Sequence, residues 1–526
     1  MLFNSFEFLL FLPLVLLGYH GIVIHYGNRA SLLFLACASL FFYGWWKPEY
    51  LWIILSSIVF NYLVSLLLLK QVASGKDHAR RLLLAGGVAG NLALLGFYKY
   101  AGLMVTAFNS LSPAQFSVPD IVLPLAISFF TFQQIAYLVD ISAGKTRGGN
   151  FPDYLVFVTF FPQLIAGPIV HHAEMMPQFQ SRNRRGIKLE DLQIGLSLFA
   201  LGLAKKVLLA DNLAPLADAS FALADAGQSQ GSVSAWMGAG AYSLQIYFDF
   251  SGYTDMALGL GRMFGIRLPL NFFSPYKARN IIDFWHRWHM TLSRFLRDYL
   301  YVPLGGNRRG RPRRYLNLLL TMLLGGLWHG AAVTFILWGG LHGLYLCINH
   351  GWRWLLGRLQ LSWLAHYRSY GLLCGLVTLL AVVLAWVVFR AETSAGAWRM
   401  WQDMFAFSGA EDLKILYRQR ASDFDLLLKS LLPVHVPLGD IWYFSLAQDA
   451  ILLLLGGLLC LCLPNSIELF RHYHPSVSAV PEFSGSTATS RLAWKPSLAW
   501  AAGLGLLFFA SLMSLARVAP FLYFQF

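Results

Sequence analysis

Residues 283–342 read DFWHRWHMTLSRFLRDYLYVPLGGNRRGRPRRYLNLLLTMLLGGLWHGAAVTFILWGGLH, and this stretch decides how the rest of the chain is interpreted. It begins with an aromatic, basic run, continues through an arginine-rich loop with glycines, and ends in two apolar segments. His329 ends the first apolar segment among several glycines, and His342 lies in the second. A histidine at membrane depth is costly unless it is paired or used. His329 is therefore the first candidate for a catalytic residue.

The composition excludes a soluble protein. Of the 526 residues, 57% are hydrophobic and only 13% are charged, whereas a soluble domain carries about 25% charged residues. The chain is therefore predicted to be an integral membrane protein with many spans. The net charge of +14 does not indicate nucleic-acid binding, because the cations cluster in short loops between apolar segments. Such loops are typical of the cytoplasmic side of a membrane protein.

Many segments approach the roughly 20 apolar residues that a membrane-crossing helix needs. They are Phe6–Tyr26, Ser31–Trp46, Tyr50–Leu69, Leu82–Phe108, Ile121–Val139, Tyr154–Val170, Leu192–Leu209, Val233–Leu260, Tyr315–Trp328, Val333–Ile348, Tyr370–Phe389, Ala450–Leu463 and Leu498–Leu515. Several are short or interrupted by Gly and Pro, so we expect some re-entrant or interfacial helices, which need protein or a water-filled cavity around them. The prediction is an all-α polytopic fold with about 10 to 13 membrane helices.

The chain is predicted to form a single membrane domain. Its parts are N-terminal helices in 1–180, a catalytic core in 181–350, an extramembrane cap or loop in 391–445, a linker in 471–495, and the last helix with an aromatic tail in 496–526. The basic loops Lys70–Arg81, Arg182–Lys188 and Arg308–Arg314 are expected on the cytoplasmic side. The five cysteines lie in apolar runs without metal-ligand spacing, so no metal site is predicted.

His286 and His289 are three residues apart and would share a face if Phe284–Leu300 is one helix. Aromatic and cationic residues on one amphipathic helix are also typical of an interfacial anchor. A metal site at this pair would need further ligands at suitable spacing, and none is evident.

Asp249 and Asp255 lie late in a long apolar segment. Each could pair with an arginine, such as Arg262 or Arg267, or cap a helix break at Gly252. A direct role at a functional site is the alternative, because ionisable residues inside membrane segments often face a cavity.

His329 has the properties of a catalytic base. Neighbouring glycines allow a substrate or another backbone to come close, and imidazole can take a hydroxyl proton near neutral pH. The alternative is a packing histidine bonded to a backbone carbonyl. His342 follows thirteen residues later, so the two converge only if the chain turns between them.

Several motifs resemble those of the membrane-bound O-acyltransferase superfamily, and more narrowly its bacterial alginate O-acetyltransferase-like branch. The central ones are Arg287-Trp288-His289, the run from Arg297-Asp298-Tyr299 to Gly305-Gly306-Asn307, and Trp328-His329-Gly330. Others in the same order along the chain are Phe3-Asn4-Ser5, Phe11-Leu12-Pro13, Phe42-Tyr43-Gly44-Trp45-Trp46, Pro162-Gln163-Leu164-Ile165-Ala166-Gly167-Pro168, Asp249-Phe250-Ser251-Gly252-Tyr253 and the terminal Phe521-Leu522-Tyr523-Phe524-Gln525-Phe526.

The resemblance implies a ring of tilted helices around a central funnel. It implies that His329 is the catalytic histidine and that His289 is the second histidine of the site. Tyr523 would carry the acyl group as a relay, or would belong to an interfacial aromatic belt. The residues expected to bind substrate or support the site are Asp249, Trp328, Asn307, Arg297, Asp298, Trp285 and His342.

The resemblance also implies a reaction. An acyl group, favoured as acetyl, would pass from a cytoplasmic thioester to a hydroxyl of an exopolysaccharide such as alginate. Acetyl-CoA would be a substrate, and no bound cofactor is expected. Peptidoglycan, cellulose and teichoic acid are alternative acceptors. The expected partners are an extracytoplasmic SGNH-type serine-hydrolase-like protein, the polysaccharide synthesis machinery and membrane lipid, and the expected location is the bacterial inner membrane.

Two roles within this scheme each have two candidates: stabilisation of the oxyanion, and the function of the arginine-rich segment. His289 or a backbone N–H at a glycine turn could stabilise the oxyanion. The arginines of 308–314 could bind the donor's phosphates or only orient the protein in the membrane.

Two other classes of protein compete with the acyltransferase. A transporter or lipid-linked saccharide flippase would use Asp249, Asp255 and the histidines as a proton relay. Such a protein often contains inverted repeats, and none is evident in the sequence. The third class is a structural subunit of a secretion complex.

Overall fold

The computed structural model describes residues 1–112, 116–119, 121–181, 188–406, 416–417, 438–479, 492–515 and 522, with only the backbone for 438–444. Within these residues the regular structure is helical and no strand forms, which confirms the all-α prediction. The helices are α1 (Phe6–Gly44), α2 (Leu51–Ala73), α3 (Asp77–Leu111), α4 (Ile127–Ser142), α5 (Phe151–Thr159), α6 (Phe161–Leu164), α7 (His172–Phe179), α8 (Leu189–Ala204), α9 (Asp211–Asp225), α10 (Gly231–Met263), α11 (Ile281–Trp285), α12 (Met290–Leu296), α13 (Gly310–His329), α14 (Val333–Arg358), α15 (Arg368–Arg390), α16 (Ser394–Met404), α17 (Leu438–Leu461), α18 (Ser466–Leu469) and α19 (Leu498–Ser514). Short 3₁₀ turns form at Pro48–Tyr50, Pro275–Lys277, Ser362–His366 and Arg471–Tyr473, and π-helical turns form at Lys205–Ala210 and Arg297–Tyr301.

Five helical stretches of the described chain are long and apolar enough to cross a membrane. They are Phe6–Gly44, Pro48–Ala73, Asp77–Leu111, Leu189–Asp225 and Arg368–Arg390. The protein is therefore a multi-pass membrane protein. The total of about 10 to 13 membrane helices stays a prediction, since α10, α13 and α14 are long but less apolar.

Helix α1 contains the break that separates two of the predicted spans. Gly27 has φ 80° and ψ −179°, outside the helical region, and glycine adopts such a conformation at little cost. The side-chain amide of Asn28 donates to the carbonyl of Phe179 at 2.7 Å. The break is therefore held against the end of α7, and the spans Phe6–Tyr26 and Ser31–Trp46 are the two halves of α1.

The predicted span Tyr154–Val170 is not one helix. Helix α5 ends at Thr159, α6 covers only Phe161–Leu164, and residues 165–171 are not helical. The carbonyl of Phe157 accepts from the amides of Gln133 (2.7 Å) and Gln163 (2.8 Å). Buried side chains thus satisfy the interrupted backbone, as irregular structure at membrane depth requires.

Helix α10 lies at the centre of the helical body and packs closely on α8, α9 and their π-helical connection. Its residues from Ala241 to Met263 are all buried. A Cβ added to Gly252 would lie 2.7 Å from the carbonyl oxygen of Gly202 on α8. Glycines therefore allow the two backbones to touch, which is common where membrane helices cross closely.

The two carboxylates of α10 are paired, but the predicted arginine partners are wrong. Lysines of the π-helical turn bind them instead: Lys205 contacts Asp255 at 2.6 Å and Lys206 contacts Asp249 at 2.7 Å. The alternative of a helix break at Gly252 is also wrong, because α10 is continuous there. The π-helical turn places these two consecutive lysines against α10.

Two basic segments of the chain lie at the same end of the helical body. The basic segment 70–81, predicted as a loop, covers the end of α2, the turn at 74–76 and the start of α3, and the basic segment 308–314 covers the residues before α13 and its first turn. Contacts of Asp140 with Lys145 (3.6 Å) and Tyr299 (2.8 Å) join α4 to the chain just before the second segment. We name this side the basic end. Helix α13, which is about 30 Å long, runs from there to the opposite end, where α1 also ends.

Parts of the predicted cap and linker are packed on the helical body. Asp225 at the end of α9 accepts from the backbone N–H of Thr393 at 3.1 Å, just before α16. In the linker 471–495, Val477 N–H donates to the carbonyl of Leu268 at 3.1 Å. Residues 480–491, and most of 407–437, lie outside the described chain. The domain boundaries stay predictions.

Candidate active site

His329 and His342 converge because the chain turns between them. Helix α13 ends at His329, and α14 begins at Val333 and runs back beside it. The ring of Trp338 lies 5.1 Å from the ring of His329 and 4.8 Å from the ring of His342, measured between centroids. The turn that the sequence required for convergence is therefore present.

His329 is buried, with 4% of its surface exposed. Its ring meets the rings of Trp328, Trp338 and Phe389 nearly edge to face, with centroid distances of 4.8, 5.1 and 5.2 Å. These aromatic contacts fix the orientation of the imidazole.

His329 also lines a cavity of about 590 Å³ at the opposite end. We name it the outer cavity. Its lining residues are Met1, Leu2, Ser5, Glu7, Trp45, Trp46, Lys99, Leu123, Pro124, Leu125, Ala126, Ile127, Ser128, Phe129, Ile165, Trp328 and His329. Most are apolar, and few polar groups converge near the imidazole. An apolar cavity with a small number of convergent polar groups is the usual form of a substrate site.

A second cavity, of about 520 Å³, lies nearer the basic end. We name it the inner cavity. Its lining residues are Pro269, Leu270, Ile282, Trp285, His286, Met290, Thr291, Ser293, Arg294, Leu296, Arg297, Tyr301, Leu318, Thr321, Met322, Leu346, His350 and Ser478. Its lining includes two arginines, Arg294 and Arg297, and each is paired with a carboxylate, Glu174 and Asp298.

A tryptophan close to the histidines lines each of the two cavities. Trp328 lines the outer cavity and belongs to the same buried cluster as Leu296, which lines the inner cavity. Trp285 lines the inner cavity, and its indole N–H donates to Nδ1 of His342 at 3.3 Å. The cavities therefore approach the histidine group from opposite ends.

Residues Phe284–Leu300 do not form one helix, so the condition for His286 and His289 to share a helical face is not met. Helix α11 ends at Trp285, His289 adopts a left-handed conformation with φ 42°, and α12 begins only at Met290. Nδ1 of His289 and Oδ1 of Asn271 are 2.9 Å apart, and the N–H of Met290 donates to the Asn271 carbonyl at 2.9 Å. Contacts with Asn271 offset the cost of the unusual backbone, since such conformations persist where the surroundings impose them.

The break separates the two histidines, which would have shared a face on a continuous helix. His286 is exposed and lines the inner cavity, whereas His289 is fully buried and lines neither cavity. The ring centroid of His289 lies 4.8 Å from that of Phe250 and 6.3 Å from that of Trp328. His289 is thus close to the site but shielded from it by aromatic rings.

The remaining predicted site residues lie in different parts of the structure and do not form one site. Arg297 lines the inner cavity and binds Asp298 at 2.7 Å. Asn307 is exposed in its loop and lines neither cavity. Asp249 lies in the ion-pair network of α10, where its Oδ2 also accepts the N–H of Leu522 at 3.0 Å. Tyr523 lies outside the described residues.

Sequence reasoning missed two residues at the histidine. The carbonyl of His329 accepts from Nζ of Lys99 at 2.9 Å, and that of Leu327 accepts from the Tyr100 hydroxyl at 2.6 Å. A lysine in the middle of an apolar helix was an available signal, because such charges are rare and usually functional. The described residues contain no cluster of three or more metal-binding side chains.

These features define a class, a multi-pass membrane protein that presents a buried histidine to a cavity. Residues 147–394 match the profile of MBOAT, the membrane-bound O-acyltransferase family. The chain belongs to this family, and it is an O-acyltransferase.

Several relatives align over most of the chain. The peptidoglycan O-acetyltransferase of Helicobacter pylori is 41% identical over 498 residues, which cover 90% of this chain and 91% of the relative. The probable alginate O-acetylase AlgI of Azotobacter vinelandii is 39% identical over 100% of both chains. The protein of the same name in Pseudomonas aeruginosa is 43% identical over 77% of this chain and 75% of its own length.

Proposed function

We propose that the protein takes an acetyl group from cytoplasmic acetyl-CoA and transfers it to a hydroxyl presented at the other face of the membrane, with His329 as the base. The observation that carries the proposal is the position of His329. It lines the outer cavity, while the inner cavity approaches the same group of side chains from the basic end.

The orientation of the protein in the membrane is inferred from the distribution of its Lys and Arg residues. Short segments rich in Lys and Arg are retained on the cytoplasmic side of a membrane, and the basic segments 70–81 and 308–314 define the basic end. The basic end therefore faces the cytoplasm of a bacterial inner membrane. The inner cavity then opens towards acetyl-CoA, and the outer cavity opens towards the acceptor.

The lining of the inner cavity suits a CoA thioester. Guanidinium groups are good partners for phosphate oxygens, and Arg294 and Arg297 line this cavity. Each also has a carboxylate partner, Glu174 at 2.5 Å and Asp298 at 2.7 Å, which holds the guanidinium in place. The apolar remainder would accept the pantetheine arm, whose thioester end points inward.

A single base, His329, can both accept and return the proton that moves during the proposed transfer. His329 takes the proton of the acceptor hydroxyl while the oxygen attacks the thioester carbonyl carbon, giving a tetrahedral oxyanion. When the oxyanion collapses, the C–S bond breaks and the CoA thiolate takes the proton from the imidazolium of His329. A base within hydrogen-bond reach is required because neither a sugar hydroxyl nor a tyrosine phenol is appreciably deprotonated at neutral pH.

The acceptor is proposed as an exopolysaccharide such as alginate. Relatives named for alginate O-acetylation align along the whole chain, and a relative named for peptidoglycan O-acetylation aligns over 90% of it. Peptidoglycan is therefore the leading alternative, and cellulose and teichoic acid are the other two. An extracytoplasmic partner of the SGNH serine-hydrolase type, working with the polymer's synthesis machinery, would complete delivery to the polymer.

Tyr523 is proposed as the first acceptor hydroxyl. Its neighbour Leu522 is buried, and its N–H bonds to Asp249 inside the helical body. This supports a role of the tail within the protein over a role in an interfacial belt. The acetyl group would then form an aryl ester with the tyrosine before it passes to the partner.

The competing transporter would need carboxylates that gain and lose protons. Asp249 and Asp255 are instead bound by lysines at 2.7 and 2.6 Å. Their ion pairs favour a structural role, in agreement with the family membership.

The test is a transfer assay in proteoliposomes. Acetyl-CoA labelled in the acetyl group is added outside vesicles that enclose the partner protein and either alginate or peptidoglycan fragments. Label appearing on enclosed acceptor, only in vesicles whose basic end faces out, is the expected result. Label that enters as intact acetyl-CoA, or no label on any acceptor when the partner is present, would reject the proposal.

A further inference from the structure

Two side chains of α3 form hydrogen bonds with the carboxyl end of α13. The last four carbonyls of a helix have no partner within the helix. In α13, the Tyr100 hydroxyl donates to the carbonyl of Leu327 at 2.6 Å, and Lys99 donates to those of Trp328 and His329, the latter at 2.9 Å. Three of these four carbonyls are thus bonded by consecutive residues of α3.

The positive charge of Lys99 strengthens its contact with the carboxyl end of α13. The carboxyl end of a helix carries a partial negative charge, which a nearby cation stabilises. Nζ of Lys99 lies at that end, 5.8 Å from the ring centroid of Trp328. Lys99 also lines the outer cavity together with His329. The cation therefore lies beside the place where the acceptor hydroxyl would meet the imidazole.

Helix α3 does not depend on this contact for its own place. It packs on α2 and α4, and its buried residues Gly87, Asn91 and Leu95 precede Lys99. The amides of Asn61 and Asn91 bond reciprocally at 3.0 and 2.6 Å. Removing the ammonium group should therefore leave α3 on α2 and α4 and release only the end of α13.

From this geometry we propose that Lys99, assisted by Tyr100, is a positioning residue for His329. Ring contacts with Trp338 and Phe389 orient the imidazole from one side. The bonds from Lys99 fix the backbone to which that imidazole is attached. Together they set the distance from the base to the acceptor hydroxyl. The inference rests on the proposed function of His329.

If Lys99 positions His329, its loss should change the rate of acetyl transfer. A misplacement of a catalytic group by about 1 Å can cost on the order of 100-fold in rate. The proposed donor site is the inner cavity, which Lys99 does not line. Loss of Lys99 should therefore lower kcat and leave the KM for acetyl-CoA nearly unchanged.

The experiment compares variants of the full chain in the proteoliposome assay. Lys99→Met is expected to lower kcat by roughly 10- to 100-fold with less than about a twofold change in donor KM. Lys99→Arg is expected to recover most of the rate, because a guanidinium donates to the same carbonyls. Tyr100→Phe should fall between Lys99→Met and the parent protein.

The matched controls are Tyr98→Phe on α3 and Lys70→Met, an exposed lysine that lines neither cavity. Both should transfer at the parent rate. A Lys99→Met protein with the parent kcat would overturn the inference, as would a rate loss that Lys99→Arg does not recover. Absence of transfer by the parent protein itself would instead reject the proposed function, so the two failures are distinguishable.

Discussion

Replacing Lys206 by methionine tests whether the charges inside the helical body are paired as described. The Lys206 side chain is 3% exposed, and its ammonium contacts Asp211 at 2.6 Å and Asp249 at 2.7 Å, which are 7% and 1% exposed. The substitution keeps most of the side-chain volume but leaves two carboxylates without this cation. Removing one partner of a buried ion pair costs about 3–5 kcal/mol.

A matched variant separates this effect from the loss of any lysine or arginine. Arg80→Met breaks an ion pair with Asp77 on α3, in which the two side chains are 30% and 68% exposed. Such a pair contributes at most about 1 kcal/mol. The triple variant Lys206→Met/Asp211→Asn/Asp249→Asn removes the charges together and should recover part of the lost stability, since the cost arises from uncompensated charge.

The free energy of unfolding is measured in mixed detergent micelles by tryptophan fluorescence as denaturing detergent is added. Lys206→Met should be destabilised by several times the effect of Arg80→Met, with partial recovery in the triple variant. Equal stability of Lys206→Met and Arg80→Met would refute the ion-pair network of α10.

Three further predictions concern packing, the donor and the tail. Gly252→Ala should lower stability by about 1–3 kcal/mol because its Cβ would overlap a carbonyl of α8. Gly240→Ala on the same helix, where the nearest atom is 3.8 Å away, should be tolerated; equal effects on stability would contradict the close crossing. Arg297→Met should raise the KM for acetyl-CoA about fivefold, since an exposed charge contact is worth about 1 kcal/mol, and should not affect acetyl-pantetheine, which lacks the nucleotide phosphates. An unchanged KM would remove Arg297 from the donor site. Tyr523→Phe should abolish transfer, whereas Tyr98→Phe should not; transfer at the parent rate by Tyr523→Phe would favour the interfacial role.

Composition and local pattern predicted the membrane class and the two apolar helices on either side of the turn after His329. The glycine-rich end of α13 and the need for a turn before α14 were evident from the sequence, because both depend on residues close together in the chain. The two halves of α1 were also predicted, since Gly27 interrupts the apolar pattern locally.

Features that depend on distant residues were not predicted. The left-handed conformation of His289 depends on Asn271, eighteen residues earlier. The lysine partners of Asp249 and Asp255 depend on a π-helical turn that has no recognised sequence signal. Lys99 meets the His329 carbonyl across 230 positions of sequence. Such contacts are set by tertiary packing, which hydrophobic periodicity does not report.

The most direct test of the account is the rate of acetyl transfer by His329→Ala. The matched control is His25→Ala, which removes an exposed imidazole that lines neither cavity. General-base catalysis contributes about 10²- to 10⁴-fold. We therefore predict a loss of that size in kcat for His329→Ala and no loss for His25→Ala, at equal amounts of folded protein. A folded His329→Ala protein that transfers acetyl groups at the parent rate would contradict the account.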